Sequence, residues 1–253
     1  QLLQHGLLRG SFIPPLLQRA LRELTRHRTN FIQQRTTVSN RIQAVMESAN
    51  IKFASVASRA LGASGRAILH AIVDGEEDPE TLARMAKGRL REKHAQLLEA
   101  LEGRVQDHHR VLLRELLDQF ESVDACIARL SAEIKERCAP QEGVIELLET
   151  IPGVGRQTAE LIIAEVGTDM SRFPTAGHLA SWAGVAPGNN ESAGKRLSGR
   201  ISPGNRALRA GLTQAAHAVA RTKGNYLATR YRQLAARKGK KRATIAVAHS
   251  MLV

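Results

Sequence analysis

Two serines lie where a hydroxyl could attack a phosphodiester. The segment from Gly184 to Pro203 is rich in small residues, serine and arginine, and it places Ser192 and Ser198 each close to a glycine and a basic residue. A serine that attacks phosphorus needs an exposed Oγ, positive charge for the phosphorane and a route for its proton. Lys195, Arg196 and Arg200 could supply the charge. The same composition also describes a mobile phosphate-binding loop that does no chemistry, and the loop alone leaves both readings open.

A second anion-binding candidate precedes it. An apolar helical stretch, Leu147-Leu148-Glu149-Thr150, runs into Ile151-Pro152-Gly153-Val154-Gly155, and a further helical pattern starts at Arg156. Pro152 fixes φ, whereas Gly153 and Gly155 permit positive φ and close backbone approach. Such a turn leaves backbone N–H groups free at the positive end of the next helix, which is an anion site. On nucleic acid the anion is a phosphate, and the contact positions the duplex without reading its sequence. This reading is a helix-hairpin-helix with Gly153, Val154, Gly155 and Arg156 as ligands. The alternative is an ordinary helical corner whose glycines serve packing.

The elements that must position these residues are helical and unequally charged. The net charge is +13, and almost all of it falls after residue 150, where 16 Lys/Arg face 4 Asp/Glu. No acidic residue follows Glu191. A solvated face normally mixes signs, so this asymmetry points to a polyanionic partner. Arg206, Arg209, Arg230, Lys240, Lys241 and Arg242 join Lys195, Arg196 and Arg200 as nucleic-acid-binding candidates. Aromatic residues make up only 3% of the chain, so stacking of bases is not expected to be the main mode of recognition. No apolar run reaches the length of a membrane-spanning helix, and no cleavable signal is visible. Cys126 and Cys138 lack a Cys-x-x-Cys spacing and fit a reducing cytoplasm. His94, His108 and His109 lack acidic or cysteine partners at ligand spacing, so no metal site is expected in this chain.

Periodicity predicts a mainly α fold: long antiparallel or coiled-coil helices, then a compact helical domain that contains the hairpin motif. Apolar residues at spacings of three and four run from Leu16 through Met46, and again from Val111 through Ile134. The first stretch also carries Arg19, Arg22, Arg26, Arg28, Arg35 and Arg41, either a basic face that could touch nucleic acid or a solvated helix face. Short helices with glycine breaks fill residues 51–104, and Asp78 before Pro79 is a helix start. The expected division is 1–13 as the tail of a preceding domain, 14–140 as a coiled-coil dimerisation region, and 141–253 as a C-terminal domain. Further helices are expected at 205–221, 225–238 and from 242 onward, with weak strand signal throughout.

Several motifs in this order carry a family resemblance: Ile151-Pro152-Gly153-Val154-Gly155, Phe173-Pro174-Thr175, Trp182-Ala183-Gly184-Val185-Ala186-Pro187, Glu191-Ser192-Ala193-Gly194-Lys195, and Ile201-Ser202-Pro203-Gly204-Asn205-Arg206-Ala207-Leu208-Arg209. Over roughly residues 145–253 the chain resembles the C-terminal domain of the insertion-sequence transposases that include the Piv-type DNA invertases. Residues 1–28 are similar to the stretch that follows the family's nuclease-like domain. The resemblance implies a recombinase with a RuvC-like N-terminal domain, four acidic metal ligands there, a coiled-coil middle and a nucleophilic serine in the C-terminal domain. It implies Mg²⁺ held by that N-terminal domain and none held by this chain. It also implies DNA as substrate, a structured guide RNA, a homodimer or higher homo-oligomer, and a bacterial cytoplasmic location at the nucleoid. The family serine corresponds to Ser192, with Ser198 as the second candidate, because Glu191 and Ala193 depart from the family's serine-glycine pattern. The family's last catalytic aspartates would precede Gln1, so this chain alone is expected to bind nucleic acid without recombining it.

Overall fold

A computed structural model describes residues 13–57, 60–188, 190–199 and 201–253. The fold is mainly α, as the periodicity predicts. In chain order the helices are α1 (Leu16–Ser48), α2 (Phe53–Val56), α3 (Ala63–Val73), α4 (Pro79–Arg84), α5 (His94–Leu101), α6 (Asp107–Cys138), α7 (Glu142–Glu149), α8 (Arg156–Val166) and α9 (Ala176–Trp182). Strands β1 (Asn190–Ser192) and β2 (Lys195–Ser198) follow, then α10 (Arg206–Ala220), α11 (Tyr226–Lys238) and α12 (Lys240–Leu252). The helix starts follow capping chemistry. Asp78 accepts from Thr81 N, Thr175 from His178 N, Asn205 from Leu208 N and Asn225 from Ala228 N.

The described residues form two compact units: one within 28–131, and one within 132–253 together with residues 13–27. In the first of these, the later part of α1 and the earlier part of α6 run antiparallel. Arg35 Nη1 meets Asp124 at 2.6 Å, and Arg104 N donates to Ala49 O at 2.8 Å. Their apolar stripes are covered from within. Val38, Ile42 and Met46 of α1 and Leu113, Leu117 and Phe120 of α6 share one core with Phe53, Ile68, Leu69, Ile72, Leu82 and Leu97. The short helices α2 to α5 therefore take up apolar surface that a bare helical pair would leave open. Val111 and Leu112 of α6 stay exposed.

The other unit is a helical domain around a core of Ile134, Ile145, Val154, Ile163, Leu179, Leu208, Leu212, Val219 and Val247, with Leu21 of α1 joining it. Helices α8 and α10 pack antiparallel at close range. A Cβ on Gly211 would lie 2.5 Å from Leu161 Cδ2, and one on Gly153 would lie 2.5 Å from both Ala215 O and Val219 Cγ2. The α7–α8 turn thus sits at the far end of α10, while the C-terminus of α8 reaches its start.

The segment 184–203, expected as a loop, holds a hairpin instead. Strands β1 and β2 pair antiparallel, with Glu191 opposite Arg196 and Ser192 opposite Lys195, and a bulge between Asn190 and Glu191. Ala193 (φ 49°) and Gly194 (φ 73°) make the two-residue turn, both left-handed as a type I′ hairpin requires.

Candidate functional site

The hairpin presents Ser192 at the last position before its turn. Ser192 and Lys195 are both exposed, and their direct pairing across the ladder places them on one face. Glu191, adjacent in the strand, belongs to the opposite face. Ser198 is half-buried and pairs with Asn190 beside the bulge. The register of Arg196 is defined, opposite Glu191, and Arg200 lies outside the described residues. Of the two serines, Ser192 has the more open setting and a lysine directly opposite it in the ladder.

What holds this excursion in place is a clasp at its base. Gly204 (φ 49°) lies against Gly184 (φ 72°) so closely that a Cβ on Gly204 would stand 2.4 Å from the Gly184 Cα. Asn205 N donates to Trp182 O at 2.9 Å, and Ser202 Oγ donates to Ser181 O at 3.3 Å. Arg209 Nη1 donates to the carbonyls of Ser202 (3.1 Å) and Pro203 (2.8 Å). The motif segments around Trp182 and Asn205 meet here, on either side of the serine hairpin. Arg209, a candidate phosphate ligand from sequence, therefore ties the loop down, whereas Arg206 one turn earlier is exposed.

A fully buried carboxylate anchors the clasp. Glu165 Oε2 accepts from Asn205 Nδ2 at 2.7 Å, so Asn205 caps α10 with its oxygen and grips Glu165 with its nitrogen. Arg26 binds the same carboxylate with two donors, Nε at 2.6 Å and Nη2 at 2.8 Å. Arg22 donates to the carbonyls of Ala164 (3.0 Å) and Glu165 at the end of α8. The Glu165 hydrogen bonds raise the pKa of Arg26 further, while burial lowers that of Arg22 against the pull of Glu165. Arg35 pairs with Asp124, and Arg28 is buried. Much of the basic face of α1 is thus engaged inside the protein. Glu165 was not singled out from sequence; the signal was an acid set in the apolar run Leu161-Ile162-Ile163-Ala164 before Val166.

The α7–α8 turn divides its candidates. Gly153 (φ 87°) is pressed on α10, so its lack of a side chain is a packing requirement. Val154 is buried, and its N–H donates to Ile151 O at 2.9 Å. Gly155 is exposed, has open space around it and caps α8 without any side-chain ligand. Arg156 is held by Glu142, through Nη1 and through Nη2 at 2.7 Å, and by Glu160 through Nε at 2.8 Å. These bonds, to Glu142 first and Glu160 second, raise the Arg156 pKa, and Arg156 in turn holds Glu142 below the usual carboxylate range. The open helix N-terminus at Gly155 is what remains for an anion. Measured along α10, the turn lies about 18 Å from the loop base at about 1.5 Å per residue. That distance equals roughly five base pairs of duplex rise.

The remaining candidates lie on α11 and α12. Lys240, Lys241 and Arg242 are exposed in the first turn of α12, next to Arg237 and Lys238 at the end of α11. Arg230 is half-buried and bonds Tyr226. Among the described residues, no three His, Cys, Asp or Glu side chains are grouped so as to hold a metal ion, and no helix is long and apolar enough to cross a membrane.

The domain thus combines an acid-free stretch after Glu191 with an exposed serine on a clasped hairpin. The comparison with known proteins is more specific. Residues 145–232 match the model of the Transposase IS116/IS110/IS902 family. It is similar to a Pseudomonas aeruginosa protein named a probable family 20 transposase, at 28% identity over 218 residues, 86% of this chain and 55% of that protein. It is 46% identical over 65 residues, 25% of the chain and 16% of the relative, to a 43.6 kDa protein of insertion element IS110 from Streptomyces coelicolor. It is 43% identical over 56 residues, 22% of the chain and 17% of the relative, to the pilin gene-inverting protein of Moraxella lacunata. The chain spans about half the length of the first of these and less of the others.

Proposed function

We propose that this chain is the coiled-coil and serine-bearing part of a DNA transposase or recombinase, and that Ser192 is its nucleophile. In the step assigned to it, Ser192 Oγ loses its proton and bonds to phosphorus. The bond from phosphorus to the leaving deoxyribose oxygen breaks, and that oxygen takes up a proton. Lys195, opposite Ser192, offers positive charge to the phosphorane. The observation that carries the reading is the exposed Ser192–Lys195 pair on a clasped hairpin inside the stretch matched by the transposase family. The rest of the reading follows the family resemblance. A structured RNA guides the DNA contacts, copies associate, the protein acts at the bacterial nucleoid, and Mg²⁺ is held by carboxylates of a nuclease-like domain in the longer protein rather than by this chain.

The alternative is a nucleic-acid binder without chemistry, favoured by the open N-terminus at Gly155 and the exposed cations of α12. Denaturing gels of the full-length protein with labelled substrate DNA separate the two. A covalent adduct with the wild type and none with Ser192→Ala supports the nucleophile. Trapping that survives Ser192→Ala moves the role to Ser198 or removes the serine mechanism.

A further inference from the structure

Tyr226 is 68% exposed, in a chain where Phe53 and Phe120 are buried and Trp182 is packed on Phe173 with ring centroids 5.6 Å apart. It opens α11, and the corner that carries it is tightly built. Asn225 caps the helix with its oxygen and donates from Nδ2 to Thr222 Oγ1 at 2.7 Å, and Thr222 Oγ1 donates to Val219 O at 2.8 Å. One helical turn on, Arg230 Nη1 donates to the Tyr226 hydroxyl at 2.6 Å, and its guanidinium carbon stands 5.9 Å from the ring centroid. Arg230 Nε is buried and has no hydrogen-bond partner among the described residues. The pair therefore departs twice from what folding alone favours: a large ring is left in water, and a cationic donor is buried unsatisfied. Such departures gather where a surface is shaped for something other than stability. Arg221 and Lys223, just before the ring, are exposed, and no acid occurs anywhere after Glu191.

We infer that Tyr226 is a stacking platform for one unpaired base of a single-stranded nucleic acid, with Arg221, Lys223 and Arg230 holding the flanking phosphates. A rigid ring offers a π-face that any unpaired base can cover, and a cation polarising that ring strengthens the stack. A base inside a duplex has both faces covered already, so the site prefers single strands, loops or bulges. This inference rests on the nucleic-acid reading of the basic domain but not on the serine chemistry.

The test is fluorescence anisotropy with this chain and four probes of equal length: oligothymidylate, oligouridylate, an abasic strand with the same phosphates, and a duplex. Tyr226→Ala is expected to weaken binding of both base-bearing single strands by about tenfold, and to leave the abasic strand and the duplex within about twofold of wild type. Tyr226→Phe keeps the ring and is expected to bind as wild type does. A loss confined to the RNA or the DNA arm assigns the natural strand. An equal loss on the abasic probe, no loss on any probe, or a Tyr226→Phe variant as weak as Tyr226→Ala overturns the stacking site while leaving the nucleic-acid reading intact. A wild-type chain that binds none of the probes overturns both.

Discussion

Replacing Arg26 by methionine strips two charged donors from a carboxylate that has no water to turn to. The Glu165 side chain is 0% exposed; its donors are Arg26 Nε and Nη2 at 2.6 and 2.8 Å and Asn205 Nδ2 at 2.7 Å, while Arg22 Nε stands off at 3.6 Å. Without Arg26 only the Asn205 bond is firm. Removing one partner of a fully buried ion pair costs about 3–5 kcal/mol. The Arg26 side chain is 50% exposed, so solvent already weakens this pair, and the expected loss for Arg26→Met is about 2–3 kcal/mol. The second variant decides the cause. In Arg26→Met/Glu165→Leu the buried carboxylate is gone along with its partner, Arg22 keeps its two carbonyl acceptors at the end of α8, and apolar replacements at buried ion pairs often cost nothing, so the double variant should regain about half of the loss or more. Urea unfolding followed by Trp182 fluorescence is the direct assay, because the protein has one tryptophan and its carbonyl receives the Asn205 N–H. An Arg26→Met variant within about 0.5 kcal/mol of wild type, below the usual cost of losing charged hydrogen bonds, would refute the anchoring role of Glu165. So would a double variant less stable than the single.

Three further outcomes follow from the same geometry. Gly153→Ala places a Cβ 2.5 Å from Ala215 O at φ 87° and should destabilise by more than about 2 kcal/mol, whereas Gly155→Ala, with open space around it, should stay within about 1 kcal/mol; equal thermal shifts would contradict the division of roles. Lys240→Ala/Lys241→Ala/Arg242→Ala should lower the slope of log affinity against log salt on duplex DNA by about 1 to 3, and an unchanged slope would place the phosphate contacts elsewhere. Burial and the neighbouring His108 push the His109 pKa down, so its contribution is whole above the unfolded value of about 6.5 and is lost as pH falls through the lower folded value, the unfolded chain taking the proton first. Melting followed by circular dichroism should therefore show less loss between about pH 7 and pH 5 in His109→Gln than in wild type, and parallel curves would remove His109 from the pH response.

The sequence alone determined the parts of this protein that depend on neighbours a few residues apart. The 3.6-residue recurrence of apolar side chains places the long helices, and Asp78, Asn205 and Asn225 mark helix starts because a short polar side chain reaches N–H groups three residues ahead. The concentration of positive charge after residue 150 is likewise plain in the chain. The hairpin was not, because its strands have three and four residues, and Ala193-Gly194 lacks the Asn-Gly or Asp-Gly pair that announces such a turn. Tertiary structure alone decided which charges are free. Arg26 and Glu165 are 139 residues apart, and Arg156 and Glu142 meet across a turn that local spacing does not describe. It also separated two glycines that read alike, since whether Gly153 is needed depends on where Ala215 and Val219 lie. A basic residue becomes a phosphate ligand or a structural tie according to whether the fold brings it a carboxylate, and that pairing is set by the packing of distant helices.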